Sequence, residues 1–89
     1  MLVIVSVSID DRFFNREIDL PITSLTELHL TVGKEVEVFQ VHSIMWLEKE
    51  RQTIVDCVSP CEDQPRLTDR LVKRFEKDRR WKEVENWVK

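Results

Sequence analysis

The sequence predicts an α+β domain: four to five mostly antiparallel strands in a curled sheet or partly open small barrel, with a C-terminal helix packed on one face. Three observations predict it. Apolar residues alternate with polar ones through much of residues 1–58, two β-rich runs flank the charged turn Glu48-Lys49-Glu50-Arg51-Gln52, and no glycine or proline occurs from Arg66 to Lys89. Period-two alternation marks half-buried strands, whereas a long run of helix-forming residues without breakers marks a helix.

The 89 residues form one domain, with a β-rich body at 1–58 and a helical segment at 64–88 that either breaks near residue 78 or continues and offers its end to a partner. A chain of this length buries a modest core. With 42% apolar and 35% charged residues it has enough patterned apolar surface to fold.

Val3, Val5, Val7 and Ile9 share one face of the first run and Ser6 and Ser8 the other, while Leu2 and Ile4 make its beginning two-sided. Asp10, Asp11 and Arg12 interrupt it. Ile18, Leu20 and Ile22 then predict a returning strand, and the loop between exposes Phe13 and Phe14, one of which can cap the core while the other stays outside. Pro21 restricts the returning strand to an edge or a strand end, because proline has no backbone donor. A turn comes next at 23–26. Leu28, Leu30 and Val32 then alternate, and Gly33-Lys34 is the strongest turn signal in the chain, since glycine takes positive φ readily.

The stretch from Glu35 to Val58 is expected to form the centre of the sheet as a hairpin. Val36 and Val38 face one way, while Phe39, Val41, Met45 and Leu47 have the opposite parity, which predicts a β-bulge near Phe39. Val32 to Val38 resembles the turn-then-strand of many small barrels and points to no particular family.

Ser59-Pro60-Cys61-Glu62 has capping-box spacing, and Pro65 places the start of the main helix near Gln64. Leu67, Leu71, Val72 and Phe75 form its apolar stripe. Arg66, Arg70, Lys73, Lys77 and Arg80 recur at spacings of four, three, four and three, stacking cations in one row. Beyond Phe75 the phase breaks: Trp81, Val84 and Val88 fall on the side of the basic row, so one straight helix cannot bury both apolar sets against one sheet.

The charge is divided unevenly. Residues 1–65 carry five Lys or Arg against twelve Asp or Glu, and residues 66–89 carry nine against five, leaving the body at minus 7 and the tail at plus 4.

These patterns support two functional readings. In the first, the chain is a non-enzymatic protein-interaction or regulatory module that docks or dimerises through Trp81, Val84, Trp87 and Val88, because wet tryptophans usually mark contact sites. Its partner is another protein or a second copy. In the second, the row Arg66, Arg70, Lys73, Lys77 and Arg80 tracks nucleic-acid phosphates, with Phe13 or Phe14 stacking on bases. The acidic body opposes nucleic acid, which puts the protein-interaction reading first. Each set also has a bland role, a tail tucked onto its own core and a solvated helix face.

No catalytic motif, small-molecule site, cofactor or metal is expected. Cys57 and Cys61 stand one residue further apart than the usual Cys-x-x-Cys, and His29 and His42, their only imidazole partners, fall in other predicted strands. A Cys-His nucleophile has no supporting oxyanion loop, and Glu48, Glu50 and Glu62 do not form an acid-base pair. Met1 to Ile9 lacks the features of a secretory signal, and no run is long enough to span a bilayer; together with two thiols this predicts a cytoplasmic protein without a membrane partner.

Overall fold

A computed structural model describes residues 2–20, 26–59 and 64–85. The chain order is β1 (Leu2–Ile9), β2 (Arg12–Asp19), β3 (Glu27–Val32), β4 (Glu35–Leu47), β5 (Gln52–Val58), α1 (Pro65–Lys77) and β6 (Lys82–Val84). The strands form one sheet of order β3-β4-β5-β1-β2-β6. Every pair is antiparallel except β1 with β5, which is parallel. The sheet is therefore mixed and has six strands, where four to five mostly antiparallel ones were expected.

β1 lies between β5 and β2, so both of its backbone edges are paired. Val3, Val5, Val7 and Ile9 point to the inner face, under α1, and are buried there with Val55 and Cys57 of β5. Ile9 pairs with Arg12, so the connection is only Asp10-Asp11, with Asp10 at φ 53°. Aspartate tolerates this left-handed conformation. The predicted loop at Phe13 and Phe14 is thus corrected to strand. Phe14 is buried inside, and Phe13 is half-buried on the outer face opposite Val84. Residues 21–25, including Pro21, lie outside the described residues, as do Pro60, Cys61 and Glu62 of the capping box.

Gly33-Lys34 closes the β3–β4 hairpin, with Val32 opposite Glu35 and Gly33 at φ 66°. The bulge lies between Val41 and Ser43, not at Phe39. The parity change at Phe39 has another cause. Val36 and Val38 are on the outer face, opposite Thr31 and His29, while Glu35 and Glu37 point inward with Phe39. Glu37 is half-buried there and pairs with Arg74 of α1, which also reaches the exposed carboxylate of Glu35 and donates to the backbone oxygens of Val32 and Glu35.

Pro65 opens α1 at its first turn, as its missing N–H requires. Leu71 and Phe75 bury the inner stripe, joined by Thr68, while Leu67 remains partly exposed. Phe75 stacks on Phe14 of β2 at 4.8 Å and tilts against Phe39 of β4 at 6.0 Å. β5 and β1 lie between those two strands, so one helical side chain can touch both rings only because the sheet is curled. The result is a half-barrel with α1 across its concave side.

The helix ends at Asp78, which leaves helical geometry while its N–H still bonds the Arg74 and Phe75 carbonyls. Beyond Asp78 the chain makes a turn and then the short strand β6, not the second helical segment expected to residue 88. Trp81 decides this. Its ring meets Phe75 edge-on at 4.8 Å and its Nε1 donates to the Thr31 carbonyl at 3.4 Å, which brings the chain beside β2, where Lys82 to Val84 pair with Asn15 to Phe13.

Candidate interaction surfaces

The tail residues separate in the structure. Trp81 is only 5% exposed and belongs to the core, so the expectation that it is offered to a partner is corrected. The guanidinium of Arg16 lies over its ring at 5.7 Å, and burial together with nearby Arg80 lowers the pKa of Arg16 from its ordinary value. Val84 is half-buried in β6, and Trp87 and Val88 lie outside the described residues.

The basic row loses its last member. Arg66, Arg70, Lys73 and Lys77 are exposed on α1 and have no ion pair among the described residues. Arg80 stands beyond the helix end, where its guanidinium donates to both oxygens of Asp78 and to the Gly33 carbonyl. Sequence spacing found the four helical cations and failed at Arg80, because the periodicity stops being helical at Asp78.

The surface that sequence reasoning missed is the second half of β4. β3 pairs with β4 only from Glu35 to Gln40, and the Val41 N–H reaches the Thr26 carbonyl just beyond. From Ser43 to Leu47 β4 pairs with β5 on one side, and no strand among the described residues pairs its other side. Ile44 and Trp46 lie opposite Val55 and Thr53, which puts both on the inner face, past the part that α1 covers, and they are 41% and 59% exposed. Their shared parity was readable, but their exposure depends on where β3 begins.

The outer face carries a polar row. Ser6 stands beside Asp56 across the parallel pair and opposite Asn15 across the antiparallel one. His42 Nδ1 is 3.6 Å from Asp56 Oδ2, and burial raises the Asp56 pKa. Serine, carboxylate and imidazole occur here in the wrong order for nucleophile activation, with the carboxylate between the other two. Ser6 Oγ is buried without a hydrogen-bond partner among the described residues, so nothing on this row takes its proton. Cys57 is a buried free thiol whose pKa burial pushes up to about 12, which keeps it protonated. His29 sits in β3 beside Glu27, away from Cys57, and among the described residues no three His, Cys, Asp or Glu side chains gather as a metal site. Cys61 lies outside the described residues. Glu48 and Glu50 are exposed in the β4–β5 turn. Among the described residues no helix is long and apolar enough to cross a membrane.

No family model, curated protein or solved structure compared with this chain matches it.

Proposed function

We propose that this chain is a small non-enzymatic protein-interaction module whose contact surface is the overhanging half of β4. The observation that carries this reading is an uncharged strand edge, Ser43 to Leu47, bearing an exposed tryptophan and an exposed isoleucine. Free edges on soluble domains are usually blunted by charge, proline or a covering segment, and tryptophan is enriched where partners dock. With Trp81 committed to the core, the contact moves from the tail to β4. A cytoplasmic setting goes with this reading, supported by the free thiol of Cys57. A photo-crosslinking amino acid in place of Trp46, in cells making the protein, is expected to give protein adducts, and the same probe at Lys73 is expected to give none. Absence of adducts from position 46 removes the reading.

The four helical cations favour a second reading, a nucleic-acid-binding domain using the solvent side of α1. Four phosphate contacts on duplex DNA would give log K against log salt a slope of about −3 to −4. Anisotropy titration of labelled DNA and RNA at several salt concentrations measures it. Charge reversal at Lys73 and Lys77 is expected to abolish the binding; no binding at low salt, or binding untouched by the reversal, takes the row out of any site.

A further inference from the structure

The geometry points to a binding site for a small phosphate monoester at the step where β6 meets β2, with Arg16, Arg80 and Lys82 holding the phosphate and Ile4 and Val84 flanking the group it carries. The site involves the β2 end of the strand order, not the β4 overhang, and does not depend on the protein-interaction reading.

The step follows from strand lengths. β6 pairs with β2 only at Phe13, Phe14 and Asn15, whereas β2 runs on to Asp19. Trp81 is buried in the core beneath Arg16, and the next residue, Lys82, is paired with Asn15 on the outer face. The chain therefore passes from the inner to the outer side of the sheet beside Arg16. A depression of about 310 Å³ lies there.

Charge gives the second argument. Arg16 has no carboxylate partner among the described residues: its Nη1 reaches the Thr31 carbonyl at 3.4 Å and its guanidinium lies over the Trp81 ring. These contacts orient the cation without neutralising it. Arg80 is held through Nε and Nη2 by Asp78 and the Gly33 carbonyl, which leaves its Nη1 unused among the described residues. Lys82 is exposed and forms no ion pair among the described residues. Glu17 is the carboxylate of the lining. Counted with Asp78, two carboxylates stand against three cations, so the rim keeps an excess of positive charge. An anion there relieves the repulsion between Arg16 and Arg80 that lowers the Arg16 pKa. Two guanidiniums already fixed in place lose little freedom on binding it.

Shape narrows the class. The cations come from β2, from the chain beyond α1 and from β6, three separate directions that suit the tetrahedral oxygens of a phosphate better than the planar pair of a carboxylate. The volume stands at the lower end of the range for small-molecule sites, about 300 to 1,000 Å³, and exceeds what a bare phosphate fills. Ile4 and Val84, both half-buried, supply an apolar wall for the remainder of the ligand.

Amide NMR of the protein titrated with phenyl phosphate to about 10 mM tests the site, a range that captures a dissociation constant of about 1 mM. Saturable shifts at Arg16, Glu17, Lys82 and Val84 are expected, with inorganic phosphate binding at least about threefold more weakly because it leaves the apolar wall uncovered. Lys82→Gln removes an exposed cation without disturbing the core and is expected to weaken phenyl phosphate at least about tenfold, as loss of a charged hydrogen bond does. Arg16→Gln is expected to do the same, with circular dichroism checking the fold. No saturable shift, shifts confined to the cations of α1, or binding unchanged in Lys82→Gln overturns the site. Equal affinity for benzoate would make it a carboxylate site, and inorganic phosphate binding as tightly as phenyl phosphate would make it a site for the free ion; either result overturns the monoester.

Discussion

Replacing Phe75 by alanine is expected to cost about 3 to 5 kcal/mol, the range for truncating a buried phenylalanine. Its ring meets Phe14 of β2, Phe39 of β4 and Trp81 beyond the helix end, so the loss is felt at three separate parts of the chain. A domain of this size has a total stability of roughly 4 to 13 kcal/mol, at about 0.05 to 0.15 per residue. The substitution therefore removes a large part of the margin, and at the bottom of that range, below about 5 kcal/mol, it leaves the protein largely unfolded at equilibrium. Urea unfolding followed by circular dichroism measures it. Phe75→Leu keeps most of the volume and is expected to lose less. A loss below about 1 kcal/mol for alanine, no more than an ordinary substitution causes, would mean that the ring cluster is not what fastens α1 to the half-barrel.

The same cluster explains what could be read from the sequence and what could not. Local signals were readable: Val3, Val5, Val7 and Ile9 fixed the inner face of β1 by alternation, Gly33 marked its turn, and Pro65 marked the start of α1. Relations between distant segments were not. Nothing within β1 or β5 announces that they lie parallel, because the choice is made by the crossing of the chain from β2 to the far edge of the sheet. Nothing in the alternation of β4 announces that half-buried Glu37 pairs with Arg74, far along the chain. Trp81 read as a docking residue because its helical phase was wrong for burial; the phase ceased to matter once the helix stopped at Asp78. The cations at Arg66, Arg70, Lys73 and Lys77 were legible because they lie inside one regular helix. The β4 overhang was not, since a free edge is a property of two strands and their lengths rather than of one pattern.

Asp78, the residue that stops the helix, should also make stability depend on pH in a way that can be isolated. Its side chain is 5% exposed and accepts hydrogen bonds from the Arg80 guanidinium, the Gly33 N–H at 2.8 Å and the Arg80 N–H at 3.0 Å. These bonds, led by those from the Arg80 side chain, hold the Asp78 carboxyl well below the usual carboxylate range. A carboxyl with a depressed pKa in the folded state binds its proton less readily there than in the unfolded chain, so folding favours the ionised form. Its contribution is complete above the unfolded pKa of about 4 and is lost as pH falls from there toward the folded value. Asp78→Asn preserves size but removes the charge that three donors address, and at pH 7 it is expected to cost about 2 kcal/mol, the scale of hydrogen bonds to a charged group. In acid the wild-type protein should lose this advantage while the variant has none to lose, so the two stability curves converge as pH falls below about 4. Glu83, whose pKa is also lowered by its bonds from Arg12, titrates in both proteins and cancels in the comparison. Urea midpoints for the two proteins from neutral pH into acid measure the gap. A gap that stays constant through the carboxylate range would mean that the Asp78 charge does not hold the helix end to the Gly33 turn, and that the chain is redirected into β6 by Trp81 alone.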